Sequence, residues 1–361
     1  MKITKILPYL RSYLFFGAKR IGFYANLGHG DLGDEASFLA VKKLLNNDIL
    51  PISKKCYAFN PGILKAFLIG SGAVLRWESP YIPKRLLTRK KWNFLVVLFS
   101  AGMNCDYNKE FSEEIKSRIK KLCGICDYLS VRDAVSQRFL NGLGFDDVNI
   151  LPDPELALEE KPYKPAFNKK GFTVGIALSP HSEFSKEDFD KIVNVFSQFT
   201  DYLTASNKDV IYLRFETKSS EDTKEDYLIK EIMKKVKDKN MVKDFKEDIG
   251  PEEMLSVIKN YCDIMVCMRL HAAVFSANAG VPFLCVTYNF MHDGFLDMLD
   301  SKDLGLAMTD LSVESLKAKY EYVLNNYKPL KARIIARRDH LKNMIYNEVE
   351  KIKNLEGMHV K

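Results

Sequence analysis

A chain of 361 residues, 47% hydrophobic and 28% charged, can bury the cores of two ordinary domains, which excludes a disordered or fibrous polypeptide. Its formal net charge of +7, from 54 basic and 47 acidic residues, suits phosphorylated metabolites, nucleotide-sugars or an acidic membrane face, or is simply a lysine-rich solvated surface. It is too modest, and too free of basic–aromatic interleaving, for a nucleic-acid binder.

In chain order, the first 20 residues carry two apolar runs, Ile6–Leu10 and Tyr13–Phe16, broken up by basic residues and followed by no small-residue cleavage site. They are expected to pack as an arm, with contact to a membrane surface as the other reading. Strands are predicted over Ile21–Tyr24, Phe67–Ile69, Phe94–Phe99, Tyr128–Val131 and Asn149–Leu151, and helices over Glu35–Leu45, Ser112–Leu122 and Asp133–Leu143. The proline-rich stretch 152–171 breaks the pattern and marks a domain boundary. Beyond it, strands are predicted over Phe172–Leu178, Val210–Phe215, Ile264–Cys267 and Phe283–Thr287, with helices over Lys186–Leu203, Asp222–Val236, Glu252–Asn260 and Leu270–Ala279. From Ser312 to Glu350 the chain reads as helical, strongly basic over Leu330–Arg338. Strand–helix alternation implies parallel sheets covered on both faces. The expected fold is therefore α/β, with two Rossmann-like domains whose parallel sheets face a central cleft. The expected boundaries are 1–160, 161–315 and a C-terminal helical segment 316–361 packing back on the first domain. Ligands of such sheets bind beyond the carboxyl ends of the strands.

The seven cysteines are an odd number, and with no secretory signal they fit a reducing cytoplasm. Cys123 and Cys126 form the one close pair and lack a second ligand pair, so they read as thiols at a helix end rather than a zinc site. No apolar run approaches the ~18 residues of a membrane span.

The most informative segment runs from 261 to 285. Tyr261–Cys267 reads as a buried parallel strand, and Ala272–Ala279 as a helix of small residues ending at a Gly280 C-cap. Arg269 and His271 stand at the junction, where free N–H groups and the helix dipole attract an anion. Arginine offers a planar fork for a carboxylate or phosphate, and histidine a proton exchanger near neutral pH. The plainer alternative is a buried arginine–acid pair beside a hydrogen-bonded core histidine.

With Met268-Arg269-Leu270-His271-Ala272, Ala279-Gly280-Val281-Pro282, Asp293-Gly294-Phe295-Leu296 and the preceding 251–258 segment, the sequence resembles the polysaccharide pyruvyl transferase family. The loop Asn26–Ala36 and the block Leu129–Asp133, followed by Asp153-Pro154, are similar to further blocks of that family, so the resemblance covers roughly residues 20–300. It implies a glycosyltransferase-B-like fold and transfer of the enolpyruvyl unit of phosphoenolpyruvate onto a sugar as a cyclic ketal, in cell-surface polysaccharide or glycan synthesis. The first domain would be the acceptor side and the second the phosphoenolpyruvate side. Arg269 and His271 match the family's signature pair and are the catalytic candidates. Arg132 matches an arginine that helps hold the same anion, its alternative being an ion pair with Asp133 or a helix acid. Asp34 and Glu35 match loop acids, their alternative being caps of the following helix. Asn26, Gly28, His29, Asp31 and Gly33 complete the loop as substrate-binding candidates. Gly70 and Gly72, read as a glycine-rich turn, and His181, after strand 172–178, complete the set. The loop departs from the commoner aromatic-and-asparagine version, which leaves the acceptor side open.

The scheme implied is a general acid, His271, protonating the vinyl carbon while arginines hold carboxylate and phosphate. A helix N-terminus lowers a histidine's pKa, so the charged acid is expected to need a bound dianion beside it. No metal and no cofactor are expected; phosphoenolpyruvate is the donor, and a nucleotide-, lipid- or polymer-linked sugar the acceptor. The expected location is cytoplasmic. The basic stretch Lys328–Arg338 is a candidate contact to the anionic inner face of the membrane, or else a solvated helix face. Two alternatives stand beside this reading: a glycosyltransferase of the same plan with a nucleotide-sugar donor, and a non-catalytic sugar-binding relative.

Overall fold

The computed structural model describes residues 20–25, 27, 30–46, 49–52, 64–78, 94–181, 184–216 and 223–355. Both apolar runs of the N-terminal arm, and Cys56, lie outside the described residues. The chain divides into two compact units. One holds the described residues of 1–29, 37–154 and 342–361; the other holds 30–36 and 155–341.

The first unit is a six-stranded parallel sheet in the order β2-β1-β3-β4-β5-β6. Its strands are β1 (Arg20–Tyr24), β2 (Ile49–Ile52), β3 (Leu64–Arg76), β4 (Leu95–Asn104), β5 (Tyr128–Val131) and β6 (Asn149–Ile150). The helices after its strands are α1 (Leu32–Leu44), whose residues 32–36 group with the second unit, α2 (Glu113–Cys123) and α3 (Ala134–Gly142). The central strands are buried on both faces: Phe23, Phe67, Phe99, Val96 and Leu98 are all fully inaccessible. Each such side chain stabilises the fold by ~1.5–3 kcal/mol relative to exposure. Ser112 and Asp133 start α2 and α3 by accepting backbone N–H groups of Ile115 and Ser136. Cys123 ends α2, where burial pushes its thiol up to about 12, and Cys126 donates to Leu122 O at 3.2 Å.

The expected turn at Gly70 and Gly72 is instead the middle of the long strand β3. Both glycines have positive φ, and a Cβ on Gly70 would collide with the Phe99 carbonyl of β4. The pairing with β4 shifts register between Gly72 and Leu75, so the glycines serve an irregular strand rather than a turn.

The second unit is also a six-stranded parallel sheet, in the order β12-β11-β10-β7-β8-β9. Its strands are β7 (Thr173–Ala177), β8 (Asp209–Leu213), β9 (Val242–Phe245), β10 (Ile264–Cys267), β11 (Phe283–Thr287) and β12 (Gly305–Ala307). They alternate with α4 (Lys186–Ala205), α5 (Lys224–Lys235), α6 (Pro251–Tyr261), α7 (Leu270–Ala279) and α8 (Phe290–Met298), and a 3-10 turn spans Pro154–Ala157. Ser185 and Thr223 open α4 and α5 through reciprocal capping boxes with Asp188 and Asp226. Helix α7 is buried almost throughout, so its small residues allow close approach to the sheet. It ends where Gly280 takes the left-handed conformation (φ 69) that a side chain would strain.

The C-terminal region is two helices, α9 (Val313–Asn325) and α10 (Tyr327–Lys353). The basic stretch of α10 is largely engaged: Arg333 pairs with Asp303 at 2.8 Å, Arg337 with Asp300 at 2.9 Å, and Arg338 donates to Asn278 O at 3.0 Å. Residues from Lys342 onward group with the first unit, where Glu348 accepts the Tyr128 hydroxyl at 2.5 Å. Among the described residues no helix is long and apolar enough to cross a membrane.

Candidate functional site

Strand β10 lies inside its sheet between β11 and β7, and its carboxyl end delivers the chain to α7. Arg269 is the N-cap residue, extended at φ −86 and ψ 133, and its side chain caps nothing. It turns instead into a set of acceptors. Nε donates to Leu178 O at 3.1 Å and to Glu225 at 3.2 Å, Nη1 to Asp31 at 3.2 Å, and Nη2 to Glu216 at 2.6 Å. Glu225 is fully buried, and its second oxygen accepts the N–H groups of Phe215 and Glu216 at 3.0 and 2.9 Å. Burial pushes its carboxyl up to about 7 against the opposing pull of Arg269 and those amides.

His271 stands two residues further on, the second residue of α7, with a carboxylate at each ring nitrogen. Nδ1 is 3.3 Å from Asp31 Oδ1, and Nε2 is 3.7 Å from Glu155 Oε1. Burial opposes charge on the ring, but Glu155, Asp31 and Asp34 outweigh it and push the imidazole up to about 10. The expected lowering by the helix N-terminus is thus reversed, and by resident carboxylates rather than by a bound dianion. Burial would raise Asp31, but His271 and Arg269 prevail and hold it well below the usual carboxylate range. Asp31 is also fixed by the N–H groups of Gly33 and Asp34, at 2.9 and 3.2 Å, at the start of α1. A Cβ on Gly33 would lie on the His271 imidazole, so glycine here makes room for the catalytic candidate.

Five of the residues singled out in the sequence therefore meet in the second unit: Asp31, Gly33, Asp34, Arg269 and His271. Glu35 follows Asp34 in the first turn of α1. His181 belongs to the same unit, after β7, with its ring 4.8 Å from Tyr288 and 5.3 Å from Phe184. Tyr288 hydrogen-bonds Ser179 at 3.0 Å. Arg132 belongs to the first unit, directly after β5, and is nearly inaccessible. It lies 3.6 Å from both Asp133 and Asp153, in a space that a Cβ on Gly102 would fill. Gly70 and Gly72 are on β3, and Asn26, Gly28 and His29 lie outside the described residues.

The sequence does not single out three carboxylates of the site, Glu155, Glu216 and Glu225. Glu216 follows the carboxyl end of β8, a position that the rule for parallel sheets marks. Glu155 follows the Asp153-Pro154 block, whereas Glu225 reads only as a residue in the first turn of a helix. Among the described residues no group of three or more His, Cys, Asp or Glu side chains is placed to hold a metal ion.

Two parallel sheets flanked by helices, with an arginine and a histidine where a central strand of the second meets its helix, define a glycosyltransferase-B-like fold with a candidate site at that turn. Solved structures share that fold. A Staphylococcus aureus MnaA structure with UDP aligns with TM-score 0.64 at 10% identity, over 95% of this chain and 98% of its own. A Rickettsia africae glycosyltransferase gives 0.55 at 14% identity over 94% and 98%, and the calicheamicin glycosyltransferase CalG4 gives 0.52 at 11% identity over 94% and 99%. No curated protein matches the sequence significantly. Residues 31–289 match the model of the polysaccharide pyruvyl transferase family, and the chain belongs to that family.

Proposed function

We propose that this enzyme moves the pyruvyl unit of phosphoenolpyruvate onto two hydroxyls of a sugar, forming a cyclic ketal and releasing phosphate. The observation that carries the reading is the Arg269–His271 turn, in a chain whose family is named for that transfer. Arg269 offers guanidinium N–H groups to the anionic donor, with the first amides of α7 beside it. Glu216, at 30% exposure the most accessible of the carboxylates on Arg269, is the one that a ligand anion replaces.

His271, charged before the donor arrives, gives its proton to the terminal vinyl carbon. The π pair forms the new C–H bond, and the central carbon becomes an oxocarbenium. One sugar hydroxyl adds there, and its proton returns to the neutral imidazole. The second hydroxyl then forms the other C–O bond as the bond from the central carbon to the phosphate oxygen breaks. Phosphate leaves with that electron pair and the remaining proton. The positive charges stabilise the departing phosphate where its charge develops.

The test is to incubate the protein with phosphoenolpyruvate and nucleotide- or lipid-linked sugars, measuring phosphate release and the mass of a ketal on the sugar. Both should appear, and both should vanish in Arg269→Ala and His271→Ala; wild-type turnover in either variant refutes the assignment. A second reading, a glycosyltransferase with a nucleotide-sugar donor, is supported by neighbours of this fold that are glycosyltransferases or hold UDP. It requires a nucleoside diphosphate to raise the melting temperature where phosphoenolpyruvate does not.

A further inference from the structure

A neutral imidazole carries one N–H donor and one bare nitrogen that only accepts. At His271 both nitrogens face carboxylate oxygens, Asp31 on one side and Glu155 on the other. In either neutral tautomer a lone pair would point at an anion. Only the doubly protonated ring suits both neighbours. We infer that Glu155 is a positioning residue that, together with Asp31, holds His271 as an imidazolium before any substrate arrives. The inference rests on the reading of His271 as proton donor to phosphoenolpyruvate.

The two carboxylates do different work. Asp31 is anchored by two backbone N–H groups and by Arg269, and it fixes the ring through Nδ1. Glu155 is fully buried, and 3.7 Å from Nε2 it is too distant for a hydrogen bond. Its charge still acts on the ring, while the Nε2 proton is not committed to it and remains transferable. The turn bearing Glu155 is fixed by the helix that bears His271. Asn278 of α7 donates to Glu155 O at 2.9 Å and to Leu158 O at 2.8 Å. Seven residues separate His271 from Asn278, two turns along one face of α7, so the helix sets both the acid and its counter-charge. Among the described residues the other charges at the ring are Asp34 in the first turn of α1 and Arg269 beside it, the latter already paired through Asp31.

The experiment is a histidine-ring NMR titration of the ligand-free full chain, with the His271 signal assigned by its loss in His271→Gln. In the wild type this ring should stay charged to at least about pH 8.5, when an ordinary histidine titrates near 6.5. In Glu155→Gln, which keeps shape and removes charge, the midpoint should fall by more than one unit, a tenfold loss in proton affinity. Glu155→Asp retains the charge at shorter reach and should fall between the two; it serves if the glutamine variant does not fold. The high-pH limb of kcat/KM for ketal formation should move down by the same interval. A wild-type midpoint near 6.5, or one unmoved in both variants, overturns the inference. The titration uses no substrate, so it can succeed where the transfer assay fails, and the two failures are distinct.

Discussion

Arg269→Gln is the most exacting perturbation, because it deletes one cation from three carboxylates at once. Asp31, Glu216 and Glu225 lie at 3.2, 2.6 and 3.2 Å from the guanidinium, and Glu225 has no solvent to replace it. Removing one partner of a buried ion pair costs about 3–5 kcal/mol, since the remaining charge is left without compensation. The loss should depend on pH with a definite sign. Glu225 titrates at about 7 in the folded protein, above the ordinary 4.5. A carboxyl raised in this way favours the fold below about pH 4.5, and that advantage disappears as pH rises through the folded midpoint. Without Arg269 the midpoint moves higher, and each further unit adds about 1.4 kcal/mol to the destabilisation at alkaline pH. Urea unfolding followed by circular dichroism should therefore show a larger difference between wild type and variant at pH 8 than at pH 5.5. Adding Glu225→Gln should restore part of the pH 8 loss. A difference below about 1 kcal/mol at pH 8, or one equal at both pH values, would refute the view of Arg269 as held by buried counter-charge.

Further outcomes follow from the same geometry. Glu216→Gln removes the exposed counter-ion of Arg269, and steady-state kinetics should show the KM for phosphoenolpyruvate falling about threefold or more; a rise would mean that Glu216 positions the guanidinium rather than competing for it. Gly33→Ala places a methyl group where the His271 ring stands, so kcat should drop about 100-fold or more while the protein still folds. Arg132→Met leaves Asp133 and Asp153 buried together in the first unit, and thermal unfolding should report a loss of about 3 kcal/mol.

The strands that were legible in the sequence are those with sheet neighbours on both sides, plus the edge strand β6. Ile264–Cys267 and Phe283–Thr287 coincide with the observed elements because burial along their whole length favours a nearly unbroken apolar run. The strands that escaped, β2, β9 and β12, are all at sheet edges. Pro51 interrupts the first, Lys243 and Asp244 the second, and the third has three residues. An edge strand needs apolar side chains on fewer surfaces, so its pattern fades. Helix α8 escaped for another reason: a short element beginning Phe-Met-His-Asp has little helical period to read. At the site, the junction carrying Arg269 and His271 was readable because strand end, helix start and cap are contiguous in sequence. Their partners were not. Glu155 is 116 residues from His271, and Glu225 is 44 from Arg269, so only the fold could bring them together.

That pairing bears on how an anion enters the site. Among the described residues, and with every group ionised, Asp31, Asp34, Glu155, Glu216 and Glu225 outnumber Arg269 and His271, so these residues do not by themselves make a positive hole for a negative ligand. The surplus has a physical reason. A guanidinium and an imidazolium taken out of water need counter-charge at once, or the histidine loses its proton and the arginine destabilises the fold. Resident carboxylates supply it, but they differ in how firmly they are held. Glu225 is buried and bound by two amides, and Asp31 is bound by two amides and both cations. Glu216 has 30% of its side chain exposed and gives up one guanidinium contact when it leaves. An incoming carboxylate or phosphate can therefore take the place of Glu216 on Arg269 without adding a net charge to the guanidinium, while the imidazolium keeps both of its own anions. On the proposed function, binding is then an exchange of one anion for another, with an affinity that depends on how well the ligand uses the α7 amides.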